Sequence, residues 1–273
     1  MSSNYFEINR IIPFSNLDGP GNRFAVFLQE CNLNCHYCHN PETINRCNSC
    51  GECVSVCPTK ALSFIDMTVS YNERKCIKCD ACLSVCPNSS SPKVKKATVD
   101  ELFNDISRRA DFLSGVSFSG GESSLQHKAI TELFDRMKER IPKLTRLIDT
   151  NGNLDFESLS SFVNSTDLFI LDVKAFNEEE HIKLTGKSNR IILKNLKFLM
   201  ETGKLCEVRT VICPDVFNCE ETVMEISKLL KSSDVNYKLT PFRPQGVRKE
   251  FLKIKTPSDS YMQKLEVIKD KCL

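Results

Sequence analysis

A chain of 273 residues has room for one α/β barrel-like domain plus a small module, or for two modest domains. Its 37 basic and 35 acidic residues nearly cancel, which removes any bulk electrostatic case for nucleic acid or an anionic membrane surface. No apolar run approaches a membrane span, Met1 to Glu7 lacks the basic start and apolar core of a signal peptide, and fifteen cysteines then point to a reducing, low-oxygen cytoplasm.

The first predicted strand, Phe24 to Leu28, leads into Cys31-Asn-Leu-Asn-Cys35-His-Tyr-Cys38. Three thiolates hold a cubane iron-sulfur cluster by three corners and leave the fourth iron open to a substrate or cofactor. Structural zinc prefers four protein ligands, so the zinc alternative has to recruit His36 or His39.

Two further runs follow, Cys47-x2-Cys50-x2-Cys53-x3-Cys57-Pro58 and Cys76-x2-Cys79-x2-Cys82-x3-Cys86-Pro87. Both have the bacterial ferredoxin spacing, in which the fourth cysteine of each run crosses to the other cluster. One cluster is therefore expected on Cys47, Cys50, Cys53 and Cys86, and the other on Cys76, Cys79, Cys82 and Cys57. Cys206, Cys213, Cys219 and Cys272 are left over and read as packed or exposed residues without a chemical role.

From about Lys93 the pattern becomes a regular alternation of helix and strand. Thr98-x-x-Glu101 reads as a capping box opening a helix with Val99, Leu102, Phe103 and Ile106 on its apolar face. Strands are expected at 115–119, 144–149, 168–173, 205–213 and 237–242. Ile130, Leu133, Phe134, Met137 and Ile141 mark one helical stripe between them, and Ile192, Leu196 and Leu199 another. Six strand-helix units call for a parallel sheet with right-handed crossovers, too few to close eight-fold, hence an open partial barrel. Functional groups in such sheets gather at the carboxyl ends of the strands. The cysteine loop, Gly120-Gly121-Glu122, Asp149 and Asp172 all fall there and should share one mouth.

These residues resemble the radical S-adenosylmethionine (SAM) superfamily, and within it the activating enzymes of glycyl radical enzymes. The likeness rests on Asp18-Gly-Pro-Gly21, Cys35-His-Tyr-Cys38-His-Asn-Pro41, Ser119-Gly-Gly-Glu122, Asp149-Thr-Asn-Gly152 and Leu171-Asp-Val-Lys174. Residues 11–15 and 45–53 look like the YjjW type of activase. The resemblance implies a partial (β/α)6 TIM-like barrel over residues 1–45 and 93–273, with an inserted α+β ferredoxin-like domain at 46–92 carrying two [4Fe-4S] clusters.

It further implies three [4Fe-4S] clusters in all, with SAM chelating the open iron of the Cys31, Cys35 and Cys38 cluster. Reductive cleavage of SAM would yield methionine and a 5′-deoxyadenosyl radical that abstracts hydrogen from a backbone glycine of a partner glycyl radical enzyme. Flavodoxin or ferredoxin would donate the electron, and the inserted clusters would pass it inward. Gly120 and Gly121 let the backbone approach the SAM amino group, and Glu122 stabilises the turn or the ammonium. Asp172, Val173 and Lys174 contact SAM, and Asp149, Thr150 and Asp172 hold a monovalent cation beside it. Tyr37 lies near the adenine, His39 and Arg209 join the SAM contacts, and Arg243 stands where relatives carry histidine. Arginine has no neutral acceptor to offer, and Glu30 also departs from the usual glycine. Competing readings are a radical SAM enzyme with another substrate and an electron-transfer ferredoxin. The latter leaves Cys31, Cys35, Cys38 and Gly120-Gly121-Glu122 unexplained.

Overall fold

The computed structural model describes residues 5–273; Met1 to Asn4, the start of the segment read above for a signal peptide, lie outside them. Two strands, β1 (Tyr5–Ser15) and β2 (Arg23–Leu28), pair antiparallel and lead to the cysteine loop. Residues 46–92 hold one-turn helix α1 (Glu52–Ser55), the hairpin β3 (Leu62–Ile65) and β4 (Thr68–Tyr71), and one-turn helix α2 (Ala81–Ser84). The chain then returns through β5 (Lys95–Thr98) and α3 (Val99–Ser107), β6 (Gly115–Gly120) and α4 (His127–Arg140), β7 (Thr145–Thr150) and α5 (Ser160–Ser165). After β8 (Leu168–Asp172) come α6 (Glu178–Thr185) and α7 (Arg190–Glu201), then β9 (Leu205–Ile212), α8 (Cys219–Leu230), β10 (Asn236–Pro241) and α9 (Asp259–Cys272). Among the described residues no helix is long and apolar enough to cross a membrane.

The main sheet has eight strands in the order β10-β9-β8-β7-β6-β2-β1-β5. The six expected strands are present and mutually parallel from β10 to β2, each within two residues of its predicted bounds. Strands β1 and β5 were not anticipated, and both are antiparallel additions at one edge. Register shifts between Ile8 and Arg10 and between Ile12 and Ser15 throw the alternation of β1 out of phase. Strand β5 is four residues long with two lysines, which is how a protected sheet edge reads. The capping box is present: Thr98 Oγ1 accepts from Glu101 N, and Glu101 Oε2 accepts from Thr98 N.

Val116 and Phe118 point to the helical face, where Phe118 meets Phe134 of α4 edge-on at 5.5 Å and stacks on Phe6 of β1 at 5.4 Å. Alternation turns Ser117 and Ser119 to the opposite face, and the register carries Arg23, Phe27, Asp149, Asp172 and Arg209 with them. Arg23 is fully buried at the amino-terminal end of this inner face. It donates to Ser117 Oγ (2.6 Å), Val116 O (2.7 Å), Thr145 Oγ1 (2.9 Å), Thr145 O (3.0 Å) and Pro20 O (3.1 Å). Burial still lowers its pKa to about 10, so the hydrogen bonds offset the lost hydration only in part.

The segment 46–92 adds no strand to the main sheet. Its neck is closed by a parallel bridge between Asn45 and Ser90 and by reciprocal side-chain bonds, Asn45 Nδ2 to Asn88 O and Asn88 Nδ2 to Arg46 O, both 2.9 Å.

Replacing Arg23 by methionine fills much of the volume but strips three carbonyls and two hydroxyls of their donor. The unfolding free energy should fall by about 3 kcal/mol in urea denaturation followed by far-ultraviolet circular dichroism.

Candidate functional site

The cysteine loop is held by backbone bonds on both sides. Cys31 N donates to Ile44 O (3.0 Å), and Asn34 N and His36 N donate to Thr185 O (2.9 Å) and Leu184 O (3.0 Å) at the end of α6. Glu30, the residue before it, has φ 82°, in the left-handed region that glycine enters freely. Its carboxylate pairs with Arg46 at 3.1 Å.

Gly120 and Gly121 are explained by the protein's own backbone. A Cβ on Gly120 would lie 2.2 Å from Leu28 N, and one on Gly121 would lie 2.2 Å from Glu30 O and 2.8 Å from Thr43 O. Gly121 N donates to Leu28 O (3.0 Å) and Glu122 N to Glu30 O (2.7 Å), so the end of β6 is fused to the start of the cysteine loop. Glu122 is buried and accepts from Ser124 N (3.0 Å), Ser124 Oγ (2.5 Å), Thr150 Oγ1 (2.6 Å) and Asn151 N (2.7 Å). Its carboxylate therefore stabilises the turn; burial pushes its pKa up while these donors pull it down.

Asp149, Asp172, Lys174 and Arg209 come together on the inner face. Lys174 Nζ donates to Asp172 Oδ2 at 2.5 Å, Arg209 Nη1 meets Asp149 Oδ2 at 3.3 Å, and the Arg209 Nε also pairs with Glu207. Ser119 Oγ donates to Asp149 Oδ2 at 3.1 Å. Burial and then the neighbouring Asp172 push Asp149 up to about 7, against the pull of Arg209 and Ser119. Burial opposes the Lys174 ammonium, but Asp172, Tyr37 and Cys35 carry its pKa well above the usual value. Val173 is buried in the core, so its side chain serves packing while Asp172 and Lys174 on either side stay with the charged group. The Thr150 hydroxyl donates to Glu122 and accepts from Gly152 N at 3.0 Å, which ties it to the turn at the end of β7.

Tyr37 is also in the hydrophobic core, tilted against Phe242 at 6.5 Å, and its hydroxyl is buried with no hydrogen-bond partner. An orphaned polar atom under the loop fits a site completed by a further group. His39 is exposed, with Nε2 2.6 Å from Arg243 O and its ring stacked near Phe242 at 6.0 Å. Arg243 takes part through its backbone carbonyl, its side chain being exposed. Sequence reasoning left Asn151, Glu207 and Arg248 without roles. Asn151 Nδ2 lies 3.7 Å from Cys31 Sγ and 2.9 Å from Asn32 Oδ1, and the only signal for it was its place in Asp149-Thr-Asn-Gly152.

In the segment 46–92, one cavity is lined by Cys47, Cys50, Cys53 and Cys86 and a second by Cys57, Cys76, Cys79 and Cys82. Among the described residues no three His, Cys, Asp or Glu side chains close on a single point; the sulfurs stand around a space instead. Backbone N–H groups aim at the sulfurs: Ser49 N at Cys47 (3.4 Å), Lys78 N at Cys76 (3.4 Å) and Ala61 N at Cys57 (3.2 Å). Such donors suit thiolates, the ligating form of cysteine. In the Cys31 loop burial raises all three thiols, Cys35 to about 12, so loading this loop has to release protons. The donor sets in all three places fit iron-sulfur clusters.

Comparison with known proteins gives a family match, to a 4Fe-4S single cluster domain, over residues 17–193. The chain is 35% identical to the trans-4-hydroxy-L-proline dehydratase activating enzyme of Clostridioides difficile, over 78% of this chain and 75% of that one. It is 32% identical to the choline trimethylamine-lyase activating enzyme of Oleidesulfovibrio alaskensis, over 89% and 85%. A radical SAM methyltransferase from Sphaerobacter thermophilus superposes with a TM-score of 0.57 at 14% identity, covering 92% of this chain and 64% of that one, and shares the fold.

Gly121→Ala would press a Cβ onto backbone oxygens that have no room to retreat. The expected outcome is a loss of about 2 kcal/mol in stability, together with failure of the Cys31 loop to retain iron. Denaturation and iron analysis after anaerobic reconstitution check both parts.

Proposed function

Since this chain belongs to the family of glycyl-radical-enzyme activating enzymes, we propose that it activates a partner glycyl radical enzyme by removing one hydrogen atom from a backbone glycine of that partner. When bound, a [4Fe-4S] cluster and SAM supply the electron and the 5′-deoxyadenosyl radical for this step, with methionine and 5′-deoxyadenosine as products. The observation that carries the reading is the convergence of the three-cysteine loop with Asp149, Arg209, Asp172 and Lys174 at the carboxyl ends of parallel strands. Glycine is the residue such chemistry selects, because it has no side chain to hinder approach and its radical is shared with both flanking amides.

Each side chain then has a task. Cys31, Cys35 and Cys38 hold the cluster by three corners. Asp172 keeps Lys174 charged and pointed for the SAM carboxylate, while Ser119 and Arg209 fix Asp149. Asp149 and Asp172 repel one another, and a monovalent cation held by them together with Thr150 would relieve that repulsion. Tyr37 and His39 border the same space through the cysteine loop, and Arg209 faces it from β9.

The finer reading is a partial (β/α)6 barrel at 1–45 and 93–273 with a ferredoxin-type insertion at 46–92, of the YjjW type. It carries a second cluster on Cys47, Cys50, Cys53 and Cys86 and a third on Cys57, Cys76, Cys79 and Cys82. Its support is the two four-cysteine cavities, their N–H donors and the closed neck. Flavodoxin or ferredoxin is the proposed electron donor, and a reducing cytoplasm the proposed location.

Anaerobically reconstituted protein should hold about twelve irons per chain, and replacing Cys31, Cys35 and Cys38 together by alanine should remove about four and abolish 5′-deoxyadenosine release. Four irons in the unaltered chain would contradict the insertion reading without touching the activase one. Asp172→Ala and Lys174→Ala should each weaken SAM binding by about 2 kcal/mol at constant iron content, as read by equilibrium dialysis with labelled SAM.

A further inference from the structure

The segment after β10 crosses back over the cysteine loop. Gly246, at φ 83°, passes so close that a Cβ would lie 2.6 Å from His39 O. Two residues on, Arg248 Nη2 donates to Cys35 O at 3.1 Å and reaches Asn34 O at 3.5 Å. The guanidinium lies over the ring of Phe251 at 4.9 Å, and Phe251 stacks on His36 at 4.3 Å. Residues 34–36 are thus gripped from two directions, their N–H groups by the end of α6 and their carbonyls by Arg248.

The two grips differ in charge. A helix end presents carbonyls with a partial negative charge, which is adverse to a loop that has to carry three thiolates. Two cations act on Cys38, Lys174 and Arg248. Lys174 is paired at 2.5 Å with Asp172, whereas the nearest acid to Arg248 is Glu250 at 3.8 Å, a largely exposed side chain. The Arg248 Nε is buried and has no hydrogen-bond partner, so this charge is less compensated than that of Lys174.

From this geometry we infer that Arg248 is a positioning residue for the Cys31 loop, fixing the carbonyls of Asn34 and Cys35 and supplying the positive charge that favours the more negative, reduced state of a cluster held there. The inference rests on the cluster reading of the Cys31, Cys35 and Cys38 loop. Arg248 touches neither the reacting atoms nor the sulfurs, and acts through the loop backbone and through its field.

The test compares Arg248→Gln, which keeps a donor and removes the charge, with Arg248→Lys, which keeps the charge and loses the planar fork. Both are reconstituted as the full chain and titrated under anaerobic conditions, with the Cys31 cluster recognised by the part of the electron paramagnetic resonance signal that changes on adding SAM. Iron content should match the unaltered protein in both. In Arg248→Gln the potential should move to a more negative value, with the ratio of reduced to oxidised cluster at fixed potential down on the order of tenfold. That is the size expected for one charge acting over ~10 Å at an effective dielectric of about 20. Arg248→Lys should restore most of that ratio. An unchanged potential in Arg248→Gln, equal shifts in the two variants, or loss of iron in both would each overturn the inference. If unaltered protein shows no SAM-sensitive signal at all, the cluster reading itself fails; if it shows one but activates no partner, only the activase reading fails.

Discussion

The structure depends on one close approach, where the backbone of Gly120 and Gly121 lies against the backbone of Leu28 and Glu30. Hydrogen bonds from Gly121 N and Glu122 N lock that contact, so the carboxyl end of β6 and the first residue of the cysteine loop move as one body. Glu122 extends the lock sideways, because its buried carboxylate is filled by donors from its own turn and from Thr150 and Asn151 at the end of β7. Asn151 in turn reaches Cys31 and Asn32. A short chain of bonds thereby connects three strand ends to one sulfur, and the position of that sulfur is settled by backbone sterics more than by side-chain packing.

Charge on the inner face is arranged with the opposite economy. Buried ion pairs contribute little net stability, since desolvation takes back most of the Coulombic gain. Yet Asp149, Asp172, Lys174, Glu207 and Arg209 are all kept there, and Asp149 is left with a pKa of about 7 by burial and by Asp172. A fold selected for stability alone would have filled this face with aliphatic residues, as it filled the other with Phe118, Ile148, Phe169 and Val208. A strongly perturbed carboxylate within a group of alternating charge suits a site for a zwitterionic ligand.

The six parallel strands were legible because apolar residues run continuously through β2 and β8 and recur at every second position in β6 and β10, and the site motifs could be proposed because they fall at strand ends. Strands β1 and β5 were not, because bulges in one and two lysines in the other erase the period-two signal. Motif logic did not specify the contacts these residues make within the protein: Thr150 turns its hydroxyl to Glu122, Val173 faces the core and Arg243 offers a carbonyl. Glycine at 120 and 121 was assigned to ligand approach, and the observed crowding comes from the protein's own chain. Arg248 had no signal at all. Its partners are backbone carbonyls more than two hundred residues away, and a single basic residue in a polar loop normally reads as solvated surface.

The segment 46–92 is built as a repeat whose halves share their cysteines between two cavities. Cys53-Val-Ser-Val-Cys57-Pro58 and Cys82-Leu-Ser-Val-Cys86-Pro87 are matched in backbone as well as in sequence. Ser49 and Lys78 both have φ 57°, and the one-turn helices start after left-handed Gly51 and Asp80. Each cavity nevertheless draws three cysteines from one half and the fourth from the other. The neck between Asn45 and Ser90 joins the beginning of the first half to the residues just past Cys86, whose sulfur lies 3.4 Å from Ser90 Oγ. Because Ile44, the residue before that neck, also accepts the bond from Cys31 N, the neck and the cysteine loop are braced on the same short stretch of backbone.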